Sequence, residues 1–192
     1  MTGTTDRPPS TLLLRRWDPR DAAALVAAYR SSGDLATQFP VDSAALDEHR
    51  AAAVIEESLP FDDRSKHWAI VQDGVAVGTV GLAAIEFRHG TAWASYWLAD
   101  GARGRGTASR ALATVATSAF TAGLHRLELG HRVNNPASCR VASAAGFAAE
   151  GIERQKLRYG TERFDVETHA RLATDPTPDL APIDVAEDAS WN

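Results

Sequence analysis

Two arginines and two glycines lie together in the segment Arg103-Gly-Arg-Gly-Thr-Ala108, where the hydrophobic pattern of the chain changes. The apolar and aromatic run before it, residues 91–99, is typical of a strand. After it, apolar residues recur at three- and four-residue steps over residues 107–122, which predicts a helix. The N–H groups and positive dipole end of such a helix, together with the two arginines, would bind a pyrophosphate. Gly104 and Gly106 would let the phosphate approach the backbone. The alternative is a basic turn that caps an ordinary helix.

This loop matches neither of two common phosphate-binding signatures. A Walker loop requires a lysine after its second glycine, and the segment contains none. The dinucleotide fingerprint requires a third glycine, and Ser109 occupies that position, although Glu128 stands near the expected distance of the acidic residue. The loop is therefore predicted to bind a phosphate-containing ligand of another class.

A second segment, residues 134–147, reads as a helix with a marked start and end. Asn135 is placed to cap it, Pro136 to begin it and Gly146 to end it. Helix formation alone accounts for each of these three residues. A functional interpretation therefore requires that they form part of a larger motif.

The other predicted elements place these two segments in a mixed fold. Strands are predicted at 11–16, 67–71, 75–83, 91–99, 126–133, 147–153 and 163–172, and helices at 19–30, 43–58, 107–122 and 135–145. Gln72-Asp73-Gly74 is a strong hairpin signal between two of the strands. Helices first, then an antiparallel meander and a βαβ-like crossing, predict an α+β (mixed α/β) fold with a central sheet flanked by helices.

Length and composition predict one folded domain with a tail at each end. The chain has 192 residues, of which 44% are hydrophobic, enough for a single core. Residues 1–10 lack periodicity, and residues 174–192 are acidic and contain several prolines. Such compositions bury too little apolar surface to offset the entropy of ordering. We therefore expect disordered tails at 1–10 and 174–192 and a folded domain over 11–173.

Charge and residue usage exclude several classes of function. A net charge of −5 argues against a protein that coats DNA or an anionic membrane. A single cysteine, Cys139, excludes an internal disulfide and a cysteine-rich zinc site. The six histidines lack His-x-His and His-Glu-x-x-His spacing, so no metal is expected. With no long apolar run and no signal peptide, the expected location is the cytoplasm.

The two segments together resemble a known superfamily. Residues 103–108 are similar to the Arg/Gln-x-x-Gly-x-Gly/Ala acyl-CoA loop of the GCN5-related N-acetyltransferases (GNAT), and residues 135–147 are similar to their second signature, Asn-x-x-Ser followed by a helix and Gly-Phe. The opening at 14–18 and the ending at 164–172 resemble, more narrowly, the RimJ/RimL branch, which acetylates the N-termini of ribosomal proteins. The resemblance covers residues 11–172.

The resemblance implies a mostly antiparallel sheet that splays open between the strands at 91–99 and 126–133, with acetyl-CoA in the gap. An amine would attack the thioester directly, a backbone N–H would stabilise the oxyanion, and the CoA thiolate would leave. The residues implied to bind the cofactor are Leu98, Ala99, Arg103, Gly104, Arg105, Gly106, Thr107, Ala108, Asn135 and Ser138.

The reaction needs an acid for the thiolate and a base for the ammonium. Ser138 matches the serine of the RimJ/RimL branch, and Tyr159 is a second donor unless it is simply an exposed turn residue. At the positions where relatives place a carboxylate, this chain has Ala92, Gly130 and Leu157. Glu128 shares a strand face with Gly130 and is the substitute we expect; Glu86, Glu153, a water chain and, from the opposite face, His131 are alternatives.

The resemblance implies a primary amine as the acceptor, and the sequence does not specify which one. The candidates are a protein N-terminus, a small amine or amino acid, and an antibiotic amine. Trp93 and Trp97 would form an aromatic wall of the acceptor pocket, or else pack between sheet and helix, and Phe39 would contribute to the same pocket. The alternatives to acetyl transfer are a different donor (a longer acyl-CoA or an aminoacyl-tRNA) and an acyl-CoA-binding module without catalysis. Relatives of this type often form homodimers.

Overall fold

A computed structural model describes residues 10–33, 35 and 46–191. The α-helices in these residues are α1 (Ala22–Ser31), α2 (Glu48–Ser58), α3 (Thr107–Thr121) and α4 (Pro136–Ala144). Its strands are β1 (Leu12–Arg16), β2 (Lys66–Gln72), β3 (Val75–Glu86), β4 (Thr91–Leu98), β5 (Arg126–Arg132), β6 (Ala148–Tyr159), β7 (Glu162–Leu172) and β8 (Asp184–Val185). Within the described ranges, no helix is long and apolar enough to cross a membrane.

The eight strands form one open sheet in the order β6-β7-β5-β4-β3-β2-β1-β8. The β4–β5 and β1–β8 pairs are parallel, and the other pairs are antiparallel. One apolar core lies between the sheet and α3, and a second core lies on the opposite face under α1 and α2. The predicted α+β fold with a mostly antiparallel sheet flanked by helices is confirmed.

The central parallel pair, β4 and β5, separates soon after it forms. Its pairing runs from Thr91 opposite Arg126 to Trp93 opposite Glu128, and no later pair is formed within these two described strands. On its other side, β4 stays paired with β3 as far as Leu98. The sheet therefore opens between residues 94–98 and 129–132, as the predicted splay requires.

The C-terminal segment packs onto the domain, and the prediction of a disordered tail over 174–192 is wrong for its described part. β8 pairs in parallel with β1, and Ile183 and Ala189 are buried in the core under α3. The Trp68 indole donates a hydrogen bond to the Ala189 carbonyl (2.9 Å), and the Arg110 guanidinium donates to the Ala181 carbonyl (2.8 Å). The segment is acidic and contains prolines, but Leu180, Val185 and Trp191 also pack against this core. Of the N-terminal tail, residues 1–9 lie outside the described residues.

Replacing Ile183 by alanine tests the packing of this segment. The side chain is 3% exposed, so its truncation should lower the free energy of unfolding by about 2–4 kcal/mol in a denaturant titration. The exposed neighbour Asp184 is the matched control, and its replacement by alanine should change that free energy by less than about 0.5 kcal/mol. Equal, small effects of the two substitutions would mean that the segment is not packed.

Candidate active site

The loop between β4 and α3 has the geometry of an anion-binding helix start. After a short 3-10 turn at Asp100–Ala102, Gly104 and Gly106 adopt φ values of 79° and 76°, in the left-handed region that favours glycine. Gly106 is the N-cap residue of α3, and no side chain caps that end. The first N–H groups of α3 are therefore left for a ligand.

Arg103 braces this loop from within. Its Nε donates a hydrogen bond to the Leu98 carbonyl at 2.8 Å, and its Nη1 lies 2.9 Å from Oδ1 of Asp100. The side chain remains 40% exposed. Arg103 therefore ties the end of β4 to the glycine turn and still presents its guanidinium to the surface beside α3.

A cleft of about 430 Å³ lies at the point where β4 and β5 separate. It is bounded by the end of β4, the glycine loop, the start of α3 and one side of α4. Its lining residues are Tyr96, Trp97, Leu98, Arg103, Gly104, Gly106, Thr107, Ala108, Ser109, Asn135, Ala137, Ser138, Arg140, Val141 and Ala144. Eight of the ten residues implied to bind the cofactor line this cleft. Ala99 and Arg105 do not; Ala99 lies beside the cleft, where its N–H donates to the Val77 carbonyl, and Arg105 is exposed.

Asn135 and Ser138 are held together at the start of α4. The Asn135 side-chain oxygen accepts a hydrogen bond from the Ser138 N–H at 3.1 Å, with Pro136 at the first position of the helix. This capping role is the one that helix building alone predicts. It also fixes the half-buried Ser138 at the wall of the cleft.

Tyr96 is a residue of the cleft that the sequence reasoning missed. Its hydroxyl crosses the opening and donates a hydrogen bond to the Ser138 carbonyl at 2.9 Å. Burial raises the pKa of Tyr96 to about 12, so the phenol keeps its proton at neutral pH. The alternation of β4 could have revealed it, because Tyr96 points away from the face of Trp93 and Trp97 and toward α4. Arg140, a second cation on the cleft, was missed as well.

On the opposite face of the sheet, the indole of Trp93 lies over Gly130. A Cβ at position 130 would come within 2.8 Å of the Val166 side chain and 3.3 Å of the Trp93 ring. The space that a side chain at position 130 would occupy is thus filled by its neighbours. Trp93 itself is 36% exposed, and the Lys156 ammonium lies 5.3 Å from the centre of its ring.

Three carboxylates around this face are paired with two basic residues. Glu128 accepts a hydrogen bond from Arg126 at 2.8 Å, and Arg126 also binds Glu150. Glu153, which pairs with Val166 across β6 and β7 and so shares the face of Gly130, forms an ion pair with Lys156. This face is therefore polar and charged around the Trp93 ring.

The remaining predicted residues lie elsewhere. Trp97 lines the cleft but is 5% exposed and packs against Trp17 at 6.0 Å between ring centres, so it belongs mainly to the core. Tyr159 lies at the far end of the β6–β7 hairpin, against Phe164, and is not part of the cleft lining. Phe39 lies outside the described residues.

Comparison with known proteins agrees with this geometry. The model of the acetyltransferase (GNAT) domain family matches residues 11–148. The ribosomal-protein-serine acetyltransferase of Escherichia coli (strain K12) is 32% identical over 109 residues, which are 56% of this chain and 61% of that enzyme.

Two solved structures share the fold and have similar lengths. Mycobacterium smegmatis RimJ in complex with CoA-disulfide has a TM-score of 0.72 and 26% identity, covering 83% of this chain and 81% of that one. An apo crystal form of RimL, the ribosomal L7/L12 alpha-N-protein acetyltransferase, has a TM-score of 0.74 and 25% identity, covering 84% and 90%.

The chain therefore belongs to the GNAT family of acetyltransferases. The predicted superfamily, and the resemblance to its RimJ/RimL branch, are confirmed.

Replacing Gly130 by alanine tests the contact with Trp93. The new methyl group would overlap Val166 and press on the indole, so we expect the free energy of unfolding to fall by about 1–3 kcal/mol. Gly151 in β6 is the matched control, because a Cβ there would meet nothing within 4 Å and its φ is not in the left-handed region. An unchanged stability of the Gly130→Ala variant in a denaturant titration would contradict the packing described here.

Proposed function

We propose that the protein transfers an acetyl group from acetyl-CoA to a primary amine, by direct attack in a ternary complex. The observation that carries this proposal is the cleft at which β4 and β5 separate, with an uncapped helix N-terminus on one wall and the start of α4 on the other. In a member of the GNAT family, this arrangement supports one site for a pyrophosphate and a thioester.

The first N–H groups of α3 and the glycine turn would bind the pyrophosphate, because they combine free donors with the positive end of the helix dipole. Beyond Trp93, the edge of β4 that faces the opening forms no pair with β5, so this edge would pair with the pantetheine amides. Asn135 and Ser138 would lie near the thioester, since both line the other side of the same cleft.

Two hydroxyls could protonate the leaving thiolate. Ser138 is the group we propose as the acid, because it lies on the first turn of α4, where the helix dipole favours developing negative charge. The Tyr96 hydroxyl is a second donor in the cleft, with its proton held at neutral pH. Tyr159 is the weaker candidate, because the hairpin end places it outside the cleft lining.

The base remains a proposal between two carboxylates, Glu128 and Glu153. Both lie on the face of Trp93 and Gly130, and each is ion-paired, with Arg126 and Lys156 respectively. The acidic side chains on this face would also attract the ammonium form of an amine, which suits a cationic acceptor. A water chain from either carboxylate would complete the transfer of the proton.

We propose a protein or peptide N-terminal amine as the first acceptor to test. The similar RimL structure is named for acetylation of ribosomal protein L7/L12, and the similar E. coli enzyme for a ribosomal-protein serine. The partly exposed Trp93 would form a wall of the acceptor pocket. A small-molecule amine is the alternative acceptor. A homodimer and a cytoplasmic location both stay predictions.

One observation favours a second candidate, an acyl-CoA-binding module that lacks catalysis. Position 130, where the resemblance to the superfamily implies a carboxylate, has glycine here, and a Cβ there would overlap Val166. This candidate predicts binding of acetyl-CoA without turnover of any amine.

Thermal unfolding with acetyl-CoA, CoA and NAD tests the cofactor. Acetyl-CoA at a hundred times its dissociation constant should raise the midpoint by roughly 5–10 °C, and NAD should not. Arg103→Ala should weaken acetyl-CoA binding about tenfold by removing a cation and a brace of the loop. Arg88→Ala, at the opposite end of β4, is the control. No shift with any CoA species would rule out both candidate functions.

Turnover separates the two candidates. With saturating acetyl-CoA and peptides that begin with serine or alanine, mass spectrometry should detect an added acetyl group. Ser138→Ala should lower kcat about 10- to 1,000-fold if this serine is the acid, with acetyl-CoA affinity unchanged. Ser143→Ala, on the exposed side of the same helix, is the control. An unchanged kcat of the Ser138→Ala variant would remove it from the mechanism, and binding without turnover of peptides or small amines would favour the binding module.

A further inference from the structure

Four side chains with metal-binding atoms converge where α4 crosses β5 and β7. They are His131, Cys139, Glu167 and His169, and one ligand atom from each lies within 4.8 Å of all the others. Nε2 of His131 lies 3.1 Å from Nε2 of His169 and 3.3 Å from Oε2 of Glu167, and the His169–Glu167 distance is 3.2 Å. We call these four residues the α4 cluster. It is on the face of the sheet opposite Trp93 and Gly130.

The hydrogen bonds of the two histidines leave both Nε2 atoms directed at one point. Nδ1 of His131 contacts the Arg132 carbonyl at 3.0 Å, and Nδ1 of His169 contacts the Phe147 carbonyl at 3.2 Å. A carbonyl oxygen only accepts, so each Nδ1 must carry the proton. In the neutral rings, two Nε2 lone pairs then face each other with a carboxylate beside them. A cation between the two lone pairs and the carboxylate would remove their mutual repulsion. Backbone carbonyls commonly orient metal-bound histidines in this way.

The spacing of the cluster fits a small tetrahedral ion. Zn²⁺ binds nitrogen and oxygen at about 2.0–2.1 Å, which separates neighbouring ligands in a tetrahedron by roughly 3.3–3.5 Å. The N···N distance and the two N···O distances of the cluster lie within a few tenths of an ångström of that value. Two imidazoles, one thiolate and one carboxylate are ligands that Zn²⁺ takes readily.

Charge and burial agree with the same ion. The two histidines are 7% and 2% exposed, and Cys139 and Glu167 are half-buried. A thiolate and a carboxylate would neutralise the two positive charges of Zn²⁺, so the loaded site would carry no net charge into this buried position. On binding, the Cys139 thiol would release its proton to solvent.

We propose that the α4 cluster binds one Zn²⁺ ion in a closed, structural site. The ion would join α4 to β5 and β7, which matters because Ala142 is the one buried residue within the helix itself. Cys139 directly follows Ser138, so the ion would fix the helix turn that forms a wall of the cleft. The spacing of the histidines along the chain predicts no metal, because the four ligands come from three separate elements.

A titration of the purified, metal-free full chain with Co²⁺, without acetyl-CoA, tests this site. One equivalent should produce the visible bands of tetrahedral Co²⁺ and a near-ultraviolet thiolate-to-cobalt band, and Zn²⁺ should abolish both. Zn²⁺ at a hundred times its dissociation constant should also raise the thermal midpoint by about 5–10 °C. Because the readout needs no turnover, its failure is distinguishable from a failure of acetyl transfer.

Substitutions assign the ligands. Cys139→Ser should remove the thiolate band, and Glu167→Gln should weaken Zn²⁺ binding at least about tenfold. His125→Ala, at an exposed histidine just before β5, is the matched control and should leave the spectrum unchanged. A folded wild-type chain, checked by circular dichroism, that gives no thiolate band would overturn the proposal. Visible cobalt bands that persist unchanged in the Cys139→Ser variant would overturn it as well, because the ion would then lie away from Cys139.

Discussion

The separation of β4 from β5 is the constraint on which the other features of this molecule depend. Because this parallel pair stops after Trp93 and Glu128, the facing edges of the two strands form no further pairs with each other. Unpaired backbone groups at the centre of a sheet are costly unless a ligand or side chains satisfy them. The Tyr96 hydroxyl and the start of α4 partly close the opening, and the remaining volume is the cleft that we propose for acetyl-CoA.

The two faces of β5 serve different purposes because its side chains alternate. Gly130 lies on one face, under the Trp93 ring, in the region that we propose for the amine. His131, the next residue, lies on the other face among the ligands of the α4 cluster. The sheet thus separates the acceptor region from the proposed Zn²⁺ ion. Zinc in this position would position α4 and would not contact the amine.

Partly exposed ion pairs surround Trp93 on the face of the sheet that we propose for the acceptor. Arg126 holds Glu128 and Glu150, and Lys156 holds Glu153 close to the indole. Because these pairs are partly exposed, each contributes little to stability, and an incoming ammonium could replace a basic partner at modest cost. This exchange offers a physical route by which a chain with glycine at position 130 could still accept a proton from its substrate.

Local patterns in the sequence determined most elements and the loop of the cleft. The Asp73-Gly74 turn, with φ of 51° and 84°, follows from turn chemistry, and the helices at 107–121 and 136–144 follow from periodicity and caps. These features depend on neighbours in the chain, so the sequence contains their causes. Tertiary structure alone decided which distant residues meet: Tyr96 with Ser138, Ile183 with the core, and two histidines with Cys139 and Glu167. The composition of residues 174–192 predicted a disordered tail for the same reason: composition does not show that a few apolar side chains of this segment find partners in a distant core.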